Sequence, residues 1–308
     1  MTAIWILLCI LVLLCAVGWY FSSRIVHIAV VPHEEIWKNE LAAGRFNKEK
    51  YEQAEKESVL IDSPFGYKLH GYFLPHGQSR KTVIVVHGVT MSTNASIKYA
   101  ELFLKRGFNV LMYDHRRHGQ SGGSTTTYGY YEKHDLKAWT AWVRDRYGPH
   151  CEIGIIGESM GAATALQYAA MDPDTAFFII DCPYSDFRAQ LAYRLKVEFK
   201  LPPFPLLGLA NLFVWLRSGM SFGKVLPIRD IAGVHTPMLF ITGENDTYIP
   251  PQMTKDLYEA KPGFKKLYMA PNSDHAEALA NNREEYDRVV GEFIEAVELS
   301  RNQERGAI

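Results

Sequence analysis

Cysteine is scarce in this chain: four in 308 residues, too few to imply a disulfide framework. Cys9 and Cys15 fall in an apolar run, where a thiol acts as a small hydrophobe. Cys151 and Cys182 remain, and spacing alone does not bring them within bonding distance. An excess of either charge is missing as well. Thirty-three Lys and Arg against 34 Asp and Glu leave a net charge of -1, whereas a dedicated nucleic-acid binder carries a basic surplus. A Cys cluster, an H-E-x-x-H motif, a P-loop and a dinucleotide fingerprint are all absent, so neither a metal nor a cofactor is implied. There is no internal repeat and no low-complexity tract. Only the uncharged run at the amino end reaches the length of a membrane span, which excludes a polytopic membrane protein. What is there, 47% hydrophobic and 22% charged residues, is the balance of a globular protein long enough to bury a substantial core.

Ala3 to Phe21 is nineteen residues without a charge. As a helix at about 1.5 Å per residue it spans roughly one hydrocarbon core. Trp5 near one end and Trp19 and Tyr20 at the other suit the two membrane interfaces. Arg24 stops the apolar run. A cleaved signal peptide is the alternative, with Ala16-Val17-Gly18 as a small-x-small site. Against it, no Lys or Arg precedes the run, and the run is longer than a usual signal core. Bulky Leu14 before Cys15 speaks against a lipoprotein signal. A buried core helix is disfavoured, because the run has no polar face. Residues 1–23 are therefore expected to be a single-pass membrane anchor. Residues 24–56, charged with both signs, are expected to be a solvated connector that Ile36, Trp37 and Leu41 could dock.

From residue 57 onward, strand and helix patterns alternate. Ser58 to Asp62 and Tyr67 to Leu74 read as a hairpin around Pro64-Phe65-Gly66. Thr82 to Val86 is a β-branched run suited to a strand buried on both faces. Asn109 to Tyr113, Glu152 to Ile156, Ala176 to Ile180, Met238 to Thr242 and Lys266 to Met269 are further strand candidates. Helical spacing joins Leu136, Trp139 and Val143, and again Tyr286, Val289, Val290, Phe293, Ile294 and Val297. The pattern predicts an α/β fold, a mostly parallel sheet covered on both faces, with its active site at the carboxyl ends of the strands.

At one such end stands Gly157-Glu158-Ser159-Met160-Gly161, followed by a helix rich in small residues. This is G-x-S-x-G in the strand–turn–helix context of a nucleophile elbow. The turn has no room for side chains near Gly157 and Gly161. It strains the backbone of Ser159 and lifts its hydroxyl clear of the sheet. The free N–H groups of the helix start face a developing negative charge.

With this elbow, over about residues 58 to 300, the chain resembles the α/β-hydrolase family. It is most similar to the branch of monoacylglycerol lipases and serine aminopeptidase-like hydrolases. Val86-His87-Gly88-Val89, Tyr113 to Gly122 and Gly243-Glu244-Asn245-Asp246 carry the likeness, and Asp114 to Ser121 matches the branch's D-x-R-x-H-G-x-S spacing. The family's triad order is Ser, acid, His. Of the two histidines after Ser159, His235 lies at the wrong edge of the sheet, so His275 is the expected base. Asp246 is the expected acid. Its competitors are Glu244, too early for the family pattern, Asp181 after the preceding strand, and Asp274, adjacent to the base. The resemblance also implies an oxyanion hole from the backbone N–H groups of Val89 and Met160. It makes His87 and Gly88 structural. The loop from Asp114 to Gly122, with His115 and His118, reads as support beside the pocket rather than as a metal site.

More than fifty residues separate the strands at 176–180 and 238–242, far more than one crossover helix needs. The family places a cap here, about residues 184–235, and Leu201 to Leu207 and Leu209 to Leu216 make it apolar. The implied activity is hydrolysis of a lipophilic carboxylic ester, or a thioester, through an acyl-enzyme. A peptidase is the second expectation, with Glu198 or Asp186 holding the substrate amine. A binding protein that keeps the fold without catalysis is the third, opposed by the complete set Ser159, Asp246 and His275. Dehalogenases and epoxide hydrolases carry Asp where Ser159 stands.

Overall fold

The computed structural model describes residues 1–306. After three amino-terminal helices, α1 (Thr2–Val26), α2 (His33–Ala42) and α3 (Lys48–Gln53), come strands β1 (Glu57–Asp62), β2 (Lys68–Leu74) and β3 (Lys81–Val86). Alternation then sets in: α4 (Thr93–Leu104), β4 (Asn109–Tyr113), α5 (Glu132–Tyr147), β5 (Glu152–Glu158), α6 (Met160–Ala169) and β6 (Phe177–Asp181). An insertion carries α7 (Phe187–Phe199), α8 (Leu206–Ser218) and the short α9 (Pro227–Asp230). The chain closes with β7 (Met238–Gly243), α10 (Pro251–Ala260), β8 (Lys265–Ala270), α11 (Ala278–Asn281) and α12 (Arg283–Gly306).

All eight strands form one sheet, in the order β1-β2-β4-β3-β5-β6-β7-β8. The β1–β2 hairpin pairs antiparallel and joins β4 antiparallel, and every other pairing is parallel. The β-branched and aromatic residues of β3, β5, β6 and β7 are buried on both faces, as parallel strands with crossover helices require. One core lies under α4 and α12 and includes Phe103, Phe177, Tyr286 and Phe293. The opposite core lies under α5 and α6 and includes Trp139, Leu166 and Phe178. Between them, β5 runs through the middle of the sheet. Gly154 on β5 stands opposite Phe177 on β6, and a Cβ there would lie 2.2 Å from the Phe177 ring. The missing side chain is what lets that ring lie flat over its neighbour.

The amino-terminal third departs from expectation in two respects. Arg24 ends the apolar run but not the helix, since α1 continues to Val26. Ser22 and Ser23 bond back to the Trp19 carbonyl, and Ile25 and Val26 bury themselves against the globular body. Burial supplies what the polar composition does not suggest. The connector is not fully solvated: it is docked on the globular body through the apolar residues expected to be able to do so, Ile36, Trp37 and Leu41. Ile36 is buried, and Trp37 packs against Phe46 and Tyr51 in an aromatic group on the α4/α12 face, with ring centroids 4.9 and 5.7 Å away. Most of the connector's charges are exposed, and the buried Glu40 is paired with Arg45 at 2.7 Å. Residues 1–16 of α1 stand exposed, the one helix among the described residues long and apolar enough to cross a membrane.

Phe177 is fully buried and meets Phe108 and Phe293 edge-on, both at 6.0 Å. Phe177→Ala is expected to lower stability by about 3–5 kcal/mol, read as a lower urea midpoint with an unchanged slope.

Candidate active site

The site begins where β5 runs out. Ser159 has φ 55° and ψ -116°, a left-handed backbone that a residue with a side chain rarely adopts. A Cβ on Gly157 would lie 2.5 Å from the backbone of Gly161, and one on Gly161 would lie 2.0 Å from the Val86 carbonyl oxygen. Both glycines are thus required by the packing of backbone on backbone. The Ser159 N–H donates to the Asp181 carbonyl at 2.8 Å, which ties the turn to β6.

Two further loops meet Ser159 from the carboxyl side of the sheet. Beyond β7, a Cβ on Gly243 would come within 2.3 Å of the Ser273 carbonyl, and the Asn245 N–H donates to that same carbonyl at 3.0 Å. The loops after β7 and β8 are thereby laced together. Asp246 Oδ1 accepts from the Tyr248 and Ile249 amides at 2.9 and 2.8 Å, so its other oxygen faces His275. His275 Nδ1 lies 2.7 Å from Asp246 Oδ2, and His275 Nε2 lies 2.9 Å from Ser159 Oγ. With Nδ1–H donating to the carboxylate, Nε2 is left as the acceptor for the serine hydroxyl.

The competing residues are occupied elsewhere. Glu244 and His235 are exposed. Asp274 accepts from the Thr247 and His275 backbone amides and shapes the loop without facing the imidazole. Asp181 accepts from the Tyr286 and Tyr99 hydroxyls beneath the sheet end.

Val89 and Met160 flank Ser159. Gly88 abuts it closely, since a Cβ on Gly88 would lie 3.4 Å from the Ser159 Cβ. Among the described residues neither the Val89 nor the Met160 amide has a hydrogen-bond acceptor outside helical ladders. Buried neutral histidines shape the Val89 turn. His87 Nε2 accepts from the His115 amide at 3.0 Å while its Nδ1 donates to the Gly88 carbonyl at 2.7 Å. His118 Nε2 accepts from the Thr90 amide at 3.2 Å. Burial pushes the pKa of all three histidines down, His115 to about 3, which keeps these acceptor nitrogens free of protons. The loop after β4 is therefore structural support, with Asp114 accepting from the Thr93 and Gln120 amides. Cys182, Asp246 and His275 place possible metal-donor atoms within 4.8 Å of one another. The hydrogen bonds of Asp246 and His275 already use both oxygens and both nitrogens, which leaves a metal no free set.

Beneath the serine lies a group of charges that the sequence does not flag. Glu158 is buried and paired with buried Lys98 of α4, and it also accepts from the Tyr99 hydroxyl at 2.7 Å. Burial alone would raise the Glu158 carboxyl, but Lys98 outweighs it and holds the group below its ordinary range. Asp181 has no cation of its own, and one of its oxygens has no hydrogen-bond partner among the described residues. Burial and then the neighbouring Glu158 push it up to about 6. Lys98 stands among Asn94, Ser96 and Glu101 on α4, and no local pattern marks it for burial.

The alpha/beta hydrolase fold family profile matches residues 81–176, the stretch from β3 through the elbow helix. The Bacillus subtilis protein YqkD is 46% identical over 282 residues, covering 91% of this chain and 92% of its own length. The chain belongs to the α/β-hydrolase fold family. Among solved structures, the Pyrococcus furiosus esterase Pf2001 superposes with a TM-score of 0.65 at 29% identity, covering 82% of this chain and 94% of that one. A Saccharomyces cerevisiae membrane protein, YNL320W, is 24% identical over 245 residues, 77% of this α/β-hydrolase chain and 79% of the yeast protein.

Two predictions come from the buried charges. Lys98→Met strands Glu158 without its counter-charge and is expected to cost about 3–5 kcal/mol in urea unfolding. The Asp181 carboxyl titrates near 6 in the folded chain and near 3.9 unfolded, so between these values the folded state holds a proton that the unfolded chain has lost. The stability contributed by this group therefore falls as pH rises from about 4 to about 6. Asp135, also pushed up to about 6 by burial, adds a slope of the same sign. Asp181→Asn is accordingly expected to reduce, not abolish, the loss of stability between pH 5 and pH 8, measured by urea titrations at both values.

Proposed function

We propose that the chain is a serine hydrolase that cleaves carboxylic esters through an acyl-enzyme, held to a membrane by α1. The observation that carries this reading is the unbroken line from Ser159 Oγ to His275 Nε2 at 2.9 Å and from His275 Nδ1 to Asp246 Oδ2 at 2.7 Å. In this reading His275 accepts the Ser159 proton as Oγ attacks the ester carbonyl, and Asp246 stabilises the imidazolium. The free amides of Val89 and Met160 receive the negative charge that develops on the carbonyl oxygen, each worth about 2.7–4 kcal/mol to the transition state. His275 then protonates the departing alkoxide. Water repeats the sequence on the acyl-enzyme and frees the acid. A thioester would follow the same course.

An ester is favoured over a peptide by the state of the cap. Asp186 caps α7, accepting from the Arg188 and Ala189 amides, and Glu198 is paired with Arg194. Asp186 is used within the cap, and Glu198, which lines the cavity beside Tyr248, has its charge met by Arg194. The monoacylglycerol lipase and aminopeptidase branch remains an expectation of resemblance, and the similarity to an esterase favours its lipase side. The anchor reading is supported by Gly18, the last residue of the small-x-small site, which is packed against Phe213 of α8.

The test is hydrolysis of a p-nitrophenyl ester series, acetate to palmitate, by the full chain in detergent. Ser159→Ala is expected to lower kcat by on the order of 10⁴-fold or more and to abolish labelling by a fluorophosphonate. Asp246→Asn is expected to lower kcat about 10⁴-fold with little change in KM. Fluorophosphonate labelling that persists in Ser159→Ala would overturn the assignment.

A further inference from the structure

A mostly apolar cavity, with Arg24, His27, Arg194 and Glu198 also in its lining, lies beside the candidate triad, and the anchor helix itself forms one of its walls. It has a volume of about 540 Å³ and runs between the end of α1, the cap helices α7 and α8, and Tyr248. Phe21 and Ile25 face Leu191, Leu206 and Leu207 across it. Tyr248 links it to the catalytic constellation, because its ring lies 4.9 Å from that of His275. The surrounding hydrophobic cluster is continuous from Ile25 and Val26 through Leu207 and Ala210 to Met160, with Val89 packed against it. The chain leaving α1 is also tied to the loop that carries Val89, as the Val31 amide donates to the Thr90 carbonyl at 2.9 Å.

The depth of this cavity relative to a bilayer follows from how α1 meets α8. Phe213 and the Leu209 carbonyl lie against Gly18. Arg217, farther along α8, stacks on Trp19 at 4.0 Å and donates to the Ser22 and Ser23 hydroxyls, both at 2.7 Å. The two helices therefore run in the same sense, and the start of α8 points toward the exposed apolar half of α1. There Phe204 is 86% exposed, and Leu212, Trp215 and Leu216 are exposed along α8. Thr2 to Trp19 covers about 27 Å at 1.5 Å per residue, close to the roughly 30 Å of a hydrocarbon core. Trp19 with Arg217 then marks the interface, where aromatic and basic side chains settle. Phe21 lies next to that level, and Leu206 and Leu207, at the start of α8, lie on its hydrocarbon side.

We infer that the cavity is an acyl channel that opens sideways into the membrane interface, and that the substrate is a long-chain acyl ester drawn from the bilayer rather than from water. This rests on the ester-hydrolase reading for its chemistry and on the anchor reading for its geometry. The occupant is the lipid itself: its chain lies between α1 and α8, and its ester reaches Ser159 past Tyr248. The anchor is then a specificity element as well as a tether.

The test uses the full chain in phosphatidylcholine vesicles. A long-chain monoacylglycerol carrying a diazirine near the chain end is photolysed against Ser159→Ala, and the labelled peptides are mapped. Adducts are expected in α7 and the first turns of α8, and are expected to fall about ten-fold when Leu191→Trp or Leu206→Trp fills the cavity. Adducts confined to residues 3–16, or unchanged by both fillings, would overturn the channel. In the Ser159 protein, the ratio of long-chain to acetyl ester turnover is expected to fall about ten-fold with either filling. Equal loss on both esters from both variants would also overturn it. Crosslinking needs no turnover, so inactivity on every ester with labelled cavity peptides would count against the hydrolase reading alone.

Discussion

Backbone touches backbone at the end of β5, and the remainder of the site is arranged around that contact. Gly161 lies so close to Val86, and Gly157 to Gly161, that any side chain would collide. This closeness forces Ser159 into its left-handed conformation and seats α6 directly behind it. The strain is held because β5 is paired on both sides, by β3 and β6, and buried on both faces. A serine on a free loop would relax out of it. The other site groups come from the ends of β3, β7 and β8, and a parallel sheet delivers all of these ends to one edge.

The buried charges below the serine belong to the same arrangement. Glu158 is placed by the elbow, so its carboxylate must be accommodated inside the protein. Lys98 supplies the opposing charge from α4, and the Tyr99 hydroxyl bonds to the same carboxylate. Glu40 from α2 also lies buried in this neighbourhood, close enough for Lys98 to act on its carboxyl. Removing one member of such a group leaves a buried charge unpaired, so its members act as a unit. The amino-terminal helices are thus connected electrostatically, and not only by packing, to the region under Ser159.

The cap and the anchor share one apolar surface. A helix apolar all round needs either a membrane or a partner, and along α1 the last turns pack on α8 while residues 1–16 are exposed, long and apolar enough to cross a membrane. Arg217 over Trp19 closes the junction at the level where an aqueous head-group layer would begin. The exposed apolar residues of α8 continue the exposed apolar surface of α1, so the two form one patch.

Much of this was legible in the order of residues. Alternating β-branched runs and helical spacings determine an α/β sheet, because period and burial are local properties of a strand or helix. The elbow was legible because its chemistry is contiguous, with two glycines and a serine within five residues. Asp246 and His275 were legible only with the help of family resemblance, since 87 and 116 residues of chain separate them from Ser159. Three outcomes were decided by the tertiary structure alone. Ile36 and Trp37 mark the segment at 24–56 as able to dock, but the hydrophobic face that receives them, with Phe46 and Tyr51, is assembled only by the fold. Glu158 and Lys98 pair because the elbow brings β5 under α4. The cavity exists because α1, α7 and α8 converge beside Tyr248. In each case the deciding energy is burial against residues distant in sequence, and such energy is defined only once the chain has folded.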